Sequence, residues 1–65
     1  MKLIINGETQ EVVSANLAAL LDELSYEHAF LATARNSELV AAEDRAACVL
    51  TEGDRVEILS PMQGG

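Results

Sequence analysis

The chain has 65 residues, 49% of them hydrophobic, and carries a formal net charge of −7 from 11 acidic and 4 basic residues. That length leaves room for one domain, which buries only about 60% of the surface its unfolded chain exposes, and a deep catalytic cleft is not expected in so small a core. The acidity repels phosphate backbones, and with Tyr26 and Phe30 as the only aromatic residues there is no basic stripe with interleaved rings, so nucleic acid is not an expected partner.

Leu3-Ile4-Ile5 is a short apolar run followed by Asn6-Gly7, a strong hairpin signal because both residues tolerate positive φ. Thr9 to Val13 is the expected return strand. Asn16 stands where a helix N-cap belongs, and Leu17, Leu20, Leu21 and Leu24 follow at i, i+3, i+4 and i+7, the apolar stripe of one amphipathic helix. Ala18, Ala19, Asp22 and Glu23 occupy its other face, so the leucines are core. Tyr26 to Ala29 reads as a connection, Phe30 to Arg35 as a strand, Asn36-Ser37 as a turn and Glu38-Leu39-Val40 as a short return strand. Ala41 to Ala47 is alanine-rich and charged, with at most a short helical turn. Glu52-Gly53-Asp54 is a tight turn before a last alternating strand, Arg55 to Leu59, which Pro61 ends because it has no amide to donate.

The order β-β-α-β-β-β fits an α+β roll, a mixed sheet of about five strands with one helix packed across it. The first and last strands can then lie parallel at the centre, since the crossover between them is long. Alternation turns Leu3, Ile5, Val56 and Ile58 toward the helix and Ile4, Glu57 and Leu59 toward the open side. Ile4 and Leu59 with Glu57 are therefore the candidate docking surface, near where the chain leaves the sheet.

Little else in the sequence offers chemistry. Cys48, the only cysteine, stands between Ala47 and Val49 as a small apolar residue would and excludes an intramolecular disulfide. His28, the only histidine, has no neighbouring cysteine and makes no metal site of familiar spacing, so it is expected to be a solvated loop residue. The pairs Asp22-Glu23 and Glu43-Asp44 diverge on their elements and form no convergent dyad. The N-terminus is too soon interrupted to be a signal peptide and no run approaches a membrane span, so a soluble cytoplasmic protein is expected. The last residues, Met62-Gln63-Gly64-Gly65, hold the one reactive group that stands out. Two glycines without Cβ leave a carboxylate on a peptide thin enough for a narrow channel, although frayed glycine-containing ends are also common.

Asn6-Gly7-Glu8, the capped leucine helix, Gly53-Asp54-Arg55-Val56-Glu57-Ile58 and the final Met62-Gln63-Gly64-Gly65 together resemble the small sulfur carriers of thiamin biosynthesis, the ThiS family of β-grasp, ubiquitin-like proteins. Members of that family often carry Asn-Gly in the second turn and Pro-Arg after the following strand, where this chain has Asn36-Ser37 and Ala41-Ala42. The resemblance implies a β-grasp domain over residues 1–60 and a flexible diglycine tail over 61–65. It implies no catalytic residue, no metal and no bound cofactor. An adenylating enzyme similar to those that activate ubiquitin would use ATP to adenylate the Gly65 carboxylate, a cysteine desulfurase relay would supply sulfur, and thiazole synthase would take it from the resulting thiocarboxylate. Gly64, Gln63 and Met62 would thread the partners' active sites. Two other classes share features of this chain: the small subunit of molybdopterin synthase, which uses the same tail chemistry, and ubiquitin-like modifiers or binding modules.

Overall fold

The computed structural model describes residues 1–60. The elements in chain order are β1 (Lys2–Ile5), β2 (Glu8–Glu11), α1 (Leu17–Glu23), β3 (Ala32–Arg35), β4 (Glu38–Val40), a short 3-10 turn (Ala42–Asp44) and β5 (Arg55–Leu59). They form one five-stranded mixed sheet in the order β2-β1-β5-β3-β4, with β1 and β5 parallel and the other pairs antiparallel. This is the β-grasp arrangement. The expected strand end at Pro61 and the tail with Met62, Gln63, Gly64 and Gly65 lie outside the described residues.

Alternation along the central strands places the core as expected: Leu3, Ile5, Val56 and Ile58 are buried beneath Leu17, Leu20 and Leu21 of the helix, with Val12 and Leu50 closing the sides. The helix starts where Asn16 accepts the amide of Ala19 at 2.8 Å. It stops in a left-handed residue, Ser25 (φ 65°), with the Tyr26 amide bonded back to the Leu21 carbonyl and the Ser25 amide to that of Asp22. That pattern satisfies the carbonyls left free in the last turn, with serine where glycine is usual.

Two strands differ in extent from expectation. The second spans Glu8–Glu11 rather than Thr9 to Val13, because beyond the Val12 amide, which bonds to the Met1 carbonyl, β1 has no residue left to pair. The Val13 and Ser14 amides go instead to the Glu23 carboxylate at 3.1–3.2 Å. Bonds from the Ser14 hydroxyl and those amides hold the Glu23 carboxyl below its ordinary pKa. The third strand begins at Ala32, not Phe30, since Phe30 has φ 63° and a left-handed residue cannot continue a strand.

Both hairpins turn on two left-handed residues: Asn6 and Gly7 at φ 50° and 85°, Asn36 and Ser37 at φ 50° and 72°. Asparagine and glycine adopt that region readily, whereas serine at the second position strains its Cβ against the backbone. In both turns the asparagine also reaches across to β5. The Asn6 amide group accepts the Ile58 N–H at 2.8 Å and donates to the Ile58 carbonyl at 3.2 Å. The Asn36 side chain accepts the Arg55 N–H at 2.9 Å while its own backbone N–H donates to the Arg55 carbonyl at 2.8 Å.

Asp54, at the mouth of β5, is buried and accepts the Thr51 amide, the Thr51 hydroxyl and the Asn36 side-chain amide at 2.9–3.1 Å. Burial opposes its charge, but the bonds from Thr51 and Asn36 outweigh that and hold its carboxyl below the usual range. Substitution in the turns is expected to act with opposite signs. Ser37→Gly should stabilise by about 0.5–1 kcal/mol through relief of left-handed strain, partly offset by the freedom glycine adds to the unfolded chain. Asn6→Ala should destabilise by about 2–3 kcal/mol, from two lost bonds and alanine in the left-handed region. Urea unfolding of the two variants against the parent checks both.

Candidate functional site

The last strand occupies the middle of the sheet and ends at Leu59, next to the final residues, so the candidate site is the surface around its end. β3 lies antiparallel on one side, pairing Ala32 with Leu59 and Ala34 with Glu57. On the other side β1 contributes only the pairs Ile4 with Arg55 and Ile5 with Val56, after which the Asn6 side chain continues the bonding to Ile58.

The open face of this sheet displays Ile4, Arg55, Glu57 and Leu59 with Ala32, Ala34 and Leu39. Of the expected docking residues, Glu57 and Leu59 are exposed and Ile4 is half-buried. They do not form one contiguous patch. Ile4 sits opposite Arg55, at the start of β5, and lines a depression of about 420 Å³ with Gly7, Arg55 and Glu57. Leu59 stands four residues along, about 13 Å away at the usual strand rise. It joins Ala32, Ala34 and Leu39 in a second, more apolar depression of about 270 Å³. Glu57 borders both.

On the open face, sequence reasoning missed Leu39. At 86% exposure it is more open than Leu59 at 67%, because β4 is an edge strand and its pairing with Ala34 turns Leu39 outward. Its signal was available in the sequence, since alternation from Glu38 puts it on the face opposite the helix once the strand order is known.

The remaining candidates fall elsewhere. His28 Nε2 lies 2.7 Å from Asp22 Oδ1 on the surface, a partner the sequence did not suggest. Asp22 thus turns to His28 and Glu23 to Ser14, so the adjacent carboxylates point apart. Cys48 is half-buried against the core, its thiol free and its carbonyl accepting the Leu17 amide. Among the described residues no group of three or more His, Cys, Asp or Glu is arranged to hold a metal ion, and no helix is long and apolar enough to cross a membrane.

Arg45 was given no role by the sequence reading beyond the charge of its segment. Its side chain is buried at 3% exposure, and its guanidinium meets neutral oxygens. It donates to the Thr33 hydroxyl (3.1 Å), the His28 carbonyl (3.1 Å) and the Leu31 carbonyl (2.9 Å). It ties the loop after the helix to β3, directly beside the exit of β5.

A model of the ThiS family matches residues 3–65. Among solved structures, the crystal structure of a thiamine biosynthesis protein (ThiS) from Geobacter metallireducens is 33% identical, superposes with a TM-score of 0.83 and is covered in full, as is this chain. A solution NMR structure of a thiamine biosynthesis protein from the same organism is 32% identical with a TM-score of 0.82, over all of this chain and 88% of the other. A thiazole synthase of Paramagnetospirillum magneticum is 38% identical over 66 residues, which is all of this chain and 20% of that protein. The chain therefore spans about a fifth of the length of the curated relative it matches.

If the open face serves recognition rather than stability, its apolar residues are dispensable to the fold. Leu39→Ser and Leu59→Ser should each shift unfolding free energy by no more than about 0.5 kcal/mol, the range of surface substitutions. Val56→Ala, on the opposite side of the same strand, should cost about 2 kcal/mol. Thermal and urea unfolding of the three variants make the comparison.

Proposed function

The chain belongs to the ThiS family, and from that membership we propose that it is a sulfur carrier of thiamin biosynthesis, working in the cytoplasm, with the Gly65 carboxylate as the group that is loaded. The observation that carries the reading is the family match itself, which extends through the final Gly64-Gly65. The names of the related proteins, thiamine biosynthesis and thiazole synthase, favour thiazole formation over molybdopterin synthesis or protein modification.

The chemistry follows from what a carboxylate lacks. Its leaving group would be oxide, so ATP first converts Gly65 to an acyl-adenylate, releasing pyrophosphate, on an adenylating partner enzyme. The terminal sulfur of a persulfide, generated by a cysteine desulfurase relay, attacks the activated carbonyl, and AMP leaves with the C–O electron pair. A thiol then cleaves the S–S bond, leaving a terminal thiocarboxylate and a disulfide. Thiazole synthase accepts that sulfur and the carrier returns with its carboxylate restored. The domain contributes no acid, base or metal to these steps; it contributes recognition.

Recognition in this scheme uses the open sheet face. Leu59, Leu39 and Ile4 are apolar anchors, and the acidic surface that includes Glu57 accelerates encounter with basic partners. The alanine variants Ile4→Ala and Leu59→Ala should therefore each weaken binding to the adenylating enzyme by about 1–2 kcal/mol without lowering the melting temperature appreciably. Isothermal titration beside thermal melts tests this; normal affinity in both variants would remove the face from the mechanism.

The decisive test concerns the terminus. Deleting Gly65 should abolish ATP–pyrophosphate exchange by the adenylating enzyme while shifting stability by no more than about 0.5 kcal/mol, as for a change outside the core. Undiminished exchange by the truncated chain would mean that the reactive group is elsewhere.

A further inference from the structure

Phe30 is costly where it stands. The residue is 74% exposed, and its backbone has φ 63°, a region that bulky side chains rarely enter. Neither cost is offset by a contact of the ring within the core, since Phe30 is absent from both the buried cluster and the partly buried residues packed against it. The conformation is nevertheless held firmly. The buried Arg45 guanidinium bonds the carbonyls of His28 and Leu31, so the loop is clamped on both sides of the exposed Phe30. A strained and exposed aromatic residue fixed by a buried cation is the kind of outlier from which function is inferred.

Its location names the kind of partner. Phe30 lines a groove of about 340 Å³ with Ser25, Tyr26, Ala29, Leu31 and Ser60, which shares no lining residue with the open-face depressions. Ser60 is the last described residue, and five more residues separate it from the Gly65 carboxyl. A peptide of that length spans at most about 17 Å. An enzyme that takes the carboxylate into its active centre is therefore brought within that distance of Ser60. A specific interface covers about 800 Å² on each partner, wide enough to take in the groove that Ser60 itself lines. Glu27, in the same groove, and the net charge of −7 call for basic groups around whatever meets the ring.

We infer that Phe30 is a second anchor, separate from the open sheet face, which inserts into an apolar, basic-rimmed socket on the adenylating enzyme. The inference rests on the reading of Gly65 as the loaded end. Arg45 acts as its positioning residue, holding the ring out before the partner arrives, so little ordering is left to be done on binding.

The test exploits the backbone. Phe30→Gly and Phe30→Asn both remove the ring while suiting a left-handed residue, so their melting temperatures should equal or exceed that of the parent. In ATP–pyrophosphate exchange with the adenylating enzyme, both should raise the KM for the carrier about ten-fold at unchanged kcat, and Phe30→Tyr should stay within about two-fold of the parent. A KM within about two-fold of the parent for both ring-removing variants overturns the inference, as does a fall in kcat alone, which would put the ring in tail positioning rather than docking. Should Phe30→Gly melt early, Phe30→Asn decides. Absence of exchange with the parent chain itself overturns the sulfur-carrier reading and this inference with it, whereas exchange by the parent with unaltered variants leaves that reading standing.

Discussion

The fold depends on how β5 is gripped. A central strand ordinarily draws its bonds from two neighbours along its length, but β1 pairs with only Arg55 and Val56 before turning away. The Asn6 side chain then takes over, presenting its amide to Ile58 as a strand residue would present its backbone. Asn36 does a related job at the other end, from the opposite hairpin. Each asparagine thus has two duties, adopting a left-handed turn conformation and supplying a peptide-like group to a strand it does not belong to. Amides of a central strand that lack a strand partner need another acceptor, and these bonds set the height of β5 relative to both neighbours. The surface around the strand's end, where Leu59, Ala32 and Ser60 lie, inherits its geometry from them.

What the sequence made legible follows from what its signals encode. Asn6-Gly7, the Leu17-Leu20-Leu21 stripe and the alternation of Arg55 to Leu59 are local, and each maps onto the element it specifies. The α+β roll, the parallel central pair and the buried and open sides of β1 and β5 were therefore readable. Arg45 was not. Its partners are a hydroxyl and carbonyls 12 to 17 residues away, and carbonyls exist at every position, so no residue type announces them. Asp54 likewise reads as a turn residue, and its burial follows only when Asn36 arrives from another hairpin. Leu39 was seen as a strand residue but not as part of a surface, because strand order decides which exposed side chains become neighbours. The left-handed Phe30 defied a reading that rests on the preferences of ordinary backbone.

The acidity of the chain divides into two kinds of charge. Glu23 and Asp54 are acceptors for backbone amides and serve where strand geometry leaves donors without partners, at Val13, Ser14 and Thr51. Their charge is spent within the molecule, and their depressed pKa values record it. Glu27, Glu38, Glu43 and Glu57 are exposed, and with other surface carboxylates they create the field that an approaching partner meets. Against this field the one buried cation, Arg45, is screened from water and meets only neutral oxygens. An ammonium at the same place could not reach three acceptors spread around a planar fork, which makes lysine a poor substitute there.

The insertion of β5 between β1 and β3 also orders events in time. The strand that fills the centre of the sheet is the last of the five to leave the ribosome, and its bonds to Asn6 join groups 52 residues apart. Before residue 59 emerges, the two hairpins have no common neighbour, and the helix has half a platform to rest on. Closing a loop of that length is entropically costly and is rewarded only when the centre is filled. A nascent chain that stops short of β5 is thus left without its sheet, open to proteolysis instead of persisting as a folded body. Emergence of β5 and acquisition of a recognisable surface become one event, a form of quality control built into the order of the strands.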